Sequence, residues 1–165
     1  MTTTQIGAIA EAAITYHATE LGIVVLKPLI ERRRYDLVLD TGDLLLRTQC
    51  KWARRNGDVV VIRSGTRRHT PNGNDRGTDS ASRIDGVAAW CPETRGCCFV
   101  PISDIEGQGF LHLRLAPARN SQELFVHWAS NYRLGAIAQL GERLTGSQEA
   151  GGSSPPSSIL EGPFR

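Results

Sequence analysis

Lysine is almost missing from this chain of 165 residues: only two of its 19 basic residues are Lys, one of them Lys51, and the rest are Arg. Lys51 is therefore informative, because an ammonium is a compact point charge that fits beside a bound water, whereas the guanidinium fork is bulkier and always protonated. Also missing is any apolar run near the roughly 20 residues that cross a bilayer. The segment Gly22 to Leu26 is far too short, and the start Met1-Thr2-Thr3-Thr4 has neither the basic nor the apolar region of a signal peptide. No membrane association is expected, and a cytoplasmic location is. The four cysteines, at 50, 91, 97 and 98, include no CxxC pair and stand at no zinc-finger spacing from a histidine. Buried free thiols follow. His17, His69, His112 and His127 suggest neither a metal site nor a nucleophilic triad and are read as structural or surface residues. No repeat is present, and 40% apolar residues suffice for one domain with its own core.

What the chain does have is arginine, unevenly placed. The net charge is only +2, but Arg32-Arg33-Arg34, Arg54-Arg55 and Arg63 with Arg67-Arg68 form three clusters before residue 70. Clusters in loops and at strand ends are how a phosphate-contacting surface looks in sequence. These eight arginines are the expected nucleic-acid contacts.

Thr3-Thr4 can cap a helix that runs to about Leu21 and stops at Gly22. Gly7, Ala10, Ile14, Ala18 and Leu21 make one stripe on it, and Glu11 falls inside that stripe. A carboxylate there needs a partner or a metal. Ile23 to Leu26 reads as a strand, and Tyr35 to Asp40 as a second in which Tyr35, Leu37 and Leu39 point one way and Asp36, Val38 and Asp40 the other. Thr41-Gly42-Asp43 turns into a third strand, Leu44 to Trp52. Its alternation sends Leu44, Leu46, Thr48, Cys50 and Trp52 to the core and Leu45, Arg47, Gln49 and Lys51 to the opposite face. Asp36 can meet Gln49 and Lys51 across this hairpin.

A fourth strand, Asp58 to Arg63, follows a turn at Asn56-Gly57, and Ser64 to Ser82 is read as a long loop. Ile84 to Trp90 and Cys97 to Pro101 form a second hairpin, Phe110 to Leu115 a last strand, and Gln122 to Tyr132 a closing helix. Asp85 stands at a strand start, where it can cap or pair with an arginine, a role in the site being the other reading. Residues 1–134 are expected to form the domain and residues 135–165 a disordered tail. From Gly135 to Ser158 the tail resembles the peptide obtained when a bacterial transfer-RNA gene is translated in one frame, so it is not expected to join the fold.

Glu11 on a helix, Asp36 at a strand start and Gln49-x-Lys51 on the next strand resemble the PD-(D/E)xK nuclease superfamily. The likeness is greatest to its group I intron-encoded homing endonucleases and their bacterial relatives. It rests on Gly7 to Glu11, Tyr35-Asp36-Leu37-Val38, Arg47 to Lys51, Ile84-Asp85, Phe99-Val100-Pro101 and Leu113 to Gln122, and covers roughly residues 5 to 132. Most members carry Asp or Glu where this chain has Gln49, and the intron-encoded group accepts Gln there. The proline that names the superfamily is replaced by Tyr35.

The resemblance implies an α/β fold, a restriction-endonuclease-like mixed sheet flanked by helices, and hydrolysis of phosphodiester bonds in double-stranded DNA. It implies Glu11, Asp36, Gln49 and Lys51 as catalytic residues, with Glu11, Asp36, Gln49 and the main-chain carbonyl of Cys50 holding Mg²⁺ or Mn²⁺. A small domain with one site implies a homo-oligomer, dimer or tetramer, for cutting both strands. Other expectations compatible with the sequence are a junction-resolving, repair or restriction nuclease of the same fold, and an inactive DNA-binding protein.

Overall fold

Thr2 opens the first helix, α1 (Thr3–Glu20), through a capping box in which its hydroxyl accepts from the Gln5 N–H and the Gln5 side chain accepts from the Thr2 N–H. The cap thus lies one residue before the expected one. The computed structural model describes residues 1–30, 33–64, 83–117 and 125–137, and the backbone of 66–70 and 73–77. Gly22, at φ +76°, takes the left-handed conformation that ends the helix and starts the first strand.

The strands in chain order are β1 (Val24–Leu26), β2 (Leu37–Asp40), β3 (Leu45–Trp52), β4 (Arg54–Asn56), β5 (Val59–Arg63), β6 (Thr66–Thr70), β7 (Gly73–Gly77), β8 (Gly86–Cys91), β9 (Gly96–Pro101), β10 (Phe110–Arg114) and β11 (His127–Trp128). Five of them form a mixed sheet in the order β1-β2-β3-β8-β9, in which β3 and β8 run parallel and the other pairs antiparallel. A second sheet has the order β11-β10-β5-β4.

The expected mixed α/β architecture is present, with a different layer on each face of the five-stranded sheet. Ile14 and Ala18 of α1 pack with Ile23, Leu37, Leu39, Ala88, Phe99, Leu134 and Ile137 on one face. On the other, Val87, Ala89 and Val100 pack with Val60, Ile62, Leu111 and Leu113 of the second sheet. β8 is therefore buried on both faces, as the near-continuous apolar run Val87-Ala88-Ala89 requires. Gly86 opens β8 against the neighbouring strand: a Cβ there would lie 2.3 Å from Phe99 Cζ and 2.7 Å from the Val100 carbonyl oxygen. Only glycine fits at that point.

Three expectations are corrected. The loop of residues 64–82 contains an antiparallel ribbon, β6 with β7, pairing Arg67 with Arg76 and Arg68 with Asp75. It shares no sheet with the rest, so it shows no apolar alternation to read. The helix from Gln122 to Tyr132 is not found in its described part, 125–132: the backbone at His127–Trp128 pairs in parallel with Leu113–Arg114, and Ala129–Tyr132 is a 3-10 turn. Residues 122–124 lie outside the described residues. On α1, Gly7 and Leu21 are exposed, which narrows the buried stripe to Ala10, Ile14 and Ala18.

Leu134 and Ile137 are 2% and 1% exposed beneath α1, so the chain is held to the domain through Ile137. Residues 138–165 lie outside the described residues. Ile137→Ala is expected to destabilise the protein by about 2–4 kcal/mol in urea titration. Removing residues 141–165 is expected to leave the melting temperature unchanged, and a substantial fall on that truncation would show that the tRNA-like segment docks.

Candidate active site

Asp36 enters β2 at a bend, where its own N–H donates to the Thr48 carbonyl at 2.9 Å. Its carboxylate turns onto β3, accepting the Cys50 N–H at Oδ2, 2.7 Å. Cys50 is the residue between Gln49 and Lys51, so one charge-assisted bond joins Asp36 to the backbone that carries both. The regular ladder starts at Leu37, opposite Thr48. Alternation consequently does not reach back to Tyr35, which packs between the two sheets instead of beside Leu37 and Leu39 as expected.

Cys50 turns its side chain toward α1, with Leu46 and Trp90. Burial raises its thiol pKa strongly, and the negative charges of Asp36 and Glu11 raise it further. That thiol stays protonated. The same coupling places Glu11, on α1, and Asp36, before β2, around one residue of β3. Glu11 is half-buried and forms an ion pair with Lys27, the residue after β1. Lys27 was not singled out from the sequence, although being the only other lysine was a signal.

Gln49 and Lys51 are half-buried on the opposite face of β3, two residues apart. The Gln49 side-chain oxygen is buried and accepts no hydrogen bond among the described residues. A buried carbonyl left in this state costs on the order of 1–3 kcal/mol, and a donor or a cation relieves it. Lys51 enters no ion pair among the described residues. No three His, Cys, Asp or Glu side chains converge among the described residues. The structure thus brings Glu11 and Asp36 around Cys50, with Gln49 and Lys51 on the other face of that strand.

Arg47, on the face of Gln49 and Lys51, is engaged elsewhere. Its Nε and Nη2 donate to the two carboxylate oxygens of Asp85 at 3.0 and 2.8 Å, and its backbone N–H donates to Asp85 Oδ2 at 2.7 Å. The Asp85 N–H returns a bond to the Arg47 carbonyl at 2.8 Å. Asp85 pairs with an arginine, one of the two readings of its position, and the four bonds fasten the start of β8 to β3.

Of the arginines expected to meet nucleic acid, Arg33, Arg34, Arg54, Arg55 and Arg63 are exposed. Arg55 is tied to its own hairpin through the Gly57 carbonyl at 2.7 Å, and Arg63 lies over the Phe110 ring at 5.6 Å. Arg32 and the side chains of Arg67 and Arg68 lie outside the described residues. The thiols of Cys97 and Cys98 are both pushed up to about 12 by burial, and all four cysteines are unbridged.

A family model described as PD-(D/E)XK endonuclease matches residues 1–135. Among solved structures, the chain is similar to the bacterial homing endonuclease I-Ssp6803I, with a TM-score of 0.69 and 25% identity over 88% of this chain and 99% of that one. Comparison with curated protein sequences gives no match.

The Arg47 guanidinium holds the Asp85 carboxyl below the usual carboxylate range. A depressed folded-state pKa stabilises the fold above the unfolded value of about 4, and that stabilisation is lost as pH falls through the folded pKa. Asp85→Ala is therefore expected to cost about 2–4 kcal/mol at pH 7 and clearly less near pH 2, measured by urea unfolding across pH. An effect independent of pH would mean that the loss is one of packing.

Proposed function

The chain belongs to the PD-(D/E)XK endonuclease family, and on that premise we propose that it is a homing-type, divalent-metal-dependent DNA endonuclease acting at Glu11, Asp36, Gln49 and Lys51. The observation that supports this most is the bond from the Cys50 N–H to the Asp36 carboxylate, which sets the acid against the Gln49-x-Lys51 strand. Hydrolysis of phosphodiester bonds and a DNA substrate come with the family. The homing assignment follows the similar solved structure.

The residues suit Mg²⁺ or Mn²⁺, since the orphaned Gln49 oxygen lies on the strand that Asp36 grips and hard cations take oxygen ligands. When bound, such an ion lowers the pKa of its water and stabilises charge on the phosphate. Glu11, Asp36, Gln49 and the Cys50 carbonyl would hold it. Lys51, on the same face of β3 as Gln49, would orient the attacking water and offset negative charge growing on the phosphate oxygens. A Lys suits that position because its compact ammonium fits next to the water.

One centre per chain cuts one strand, so a double-strand break calls for a symmetric homodimer or homotetramer. Among the described residues no helix is long and apolar enough to cross a membrane. A cytoplasmic place of work is part of the same proposal.

Lys51→Ala and Asp36→Ala are each expected to lower plasmid cleavage about 10²-fold or more while the protein still folds and binds DNA. Full cleavage by either purified variant would refute the assignment. Neutralising Arg33 and Arg34, the exposed pair just before Tyr35, should weaken binding to every DNA sequence. The slope of log affinity against log salt should flatten by up to about two units. An unchanged slope would place the duplex on another face.

A further inference from the structure

We propose that Lys27 is a positioning residue of this centre: its ammonium holds the Glu11 carboxylate in the metal-free protein and releases it to the divalent cation. The inference rests on the reading of Glu11 as a ligand given above.

Lys27 follows β1, which brings it alongside α1, and its Nζ contacts Glu11 Oε1. The Lys27 side chain is 69% exposed and the Glu11 side chain 27%, so the cation reaches in from solvent over a half-buried acid. Glu11 first, and Asp36 more weakly, raise the Lys27 pKa. The ammonium therefore sits in the field of both carboxylates that would share a metal. Two carboxylates in one place repel unless a positive charge lies near them. Lys27 supplies that charge when no ion is present.

The residue type fits a displaceable partner. In a chain whose other basic residues are arginine, save Lys51, an Arg at 27 could grip Glu11 through a two-pronged guanidinium–carboxylate pair. A single ammonium on a flexible stem makes a weaker, exposed pair, which a doubly charged ion can replace. The freed ammonium then stays close to the centre, where it is available to a DNA phosphate.

The scarcity of lysine supplies the probe. Reductive ¹³C-methylation of the full chain labels two lysines and the N-terminal amine, and Lys27→Arg identifies the Lys27 signal. On titration with Mg²⁺ alone, without DNA, the Lys27 signal should move to its position in the Glu11→Gln variant. In that variant it should not respond further. Calorimetry with Mn²⁺ should show Lys27→Met binding roughly three- to tenfold tighter than the unaltered chain, and Lys27→Arg no tighter. A Lys27 signal that stays fixed, or a Lys27→Met affinity that is unchanged, while metal binding still depends on Glu11 would overturn the proposal. Metal binding that does not depend on Glu11 would instead overturn the active-site reading beneath it.

Discussion

The bond from the Cys50 N–H to the Asp36 carboxylate is the constraint around which the proposed centre is arranged. It occurs where β2 has not yet begun, so the ladder does not use that N–H and a side chain can. Asp36 is thereby fixed by β3, and β3 is fixed by β8 through parallel pairing from Thr48–Gly86 to Trp52–Trp90. A strand buried on both faces thus sets the position of a half-buried acid. Gly86 is part of this arrangement, because any side chain at that point would push β9 away from β8. The Arg47–Asp85 bonds close the same joint from the side.

Much of this hairpin was legible in the sequence because alternation is a backbone property that holds wherever a ladder is regular. Leu37 and Leu39 face α1, and Cys50 faces opposite to Gln49 and Lys51, as period two requires. The rule failed at Tyr35, one residue beyond the bend, where the ladder no longer fixes direction. It was blind to the β6–β7 ribbon, whose sequence of Gly, Asn, Thr and Arg residues has no apolar alternation to read. It also misread the approach to Tyr132 as a helix, because parallel pairing with β10 is a long-range event that leaves no local period.

Pairing of charges was only half legible for a related reason. The position of Glu11 in an apolar stripe raised the need for a partner, and the structure supplies Lys27 from a different element. Asp85 raised the same need, which Arg47 meets from 38 residues earlier in the chain. Sequence spacing identifies a residue that lacks something. Topology decides what provides it, and only the assembled sheet brings the residue after β1 to the side of α1.

Gln49 is the departure from the usual acidic residue of the family, and charge balance gives it a rationale. In the metal-free protein the neighbourhood of β3 carries two carboxylates, Glu11 and Asp36, with Lys27 paired to the first and Lys51 on the strand itself. A third carboxylate at 49 would sit where the Gln49 oxygen is already buried without a partner, and an ionised group in that position is far costlier than an amide. The amide adds no negative charge to that of the two carboxylates. A neutral oxygen holds a divalent ion less firmly than a carboxylate, so in the proposed centre a phosphate oxygen of DNA would supply a larger part of the ion's coordination. In the proposed centre, metal affinity and DNA binding would therefore be coupled.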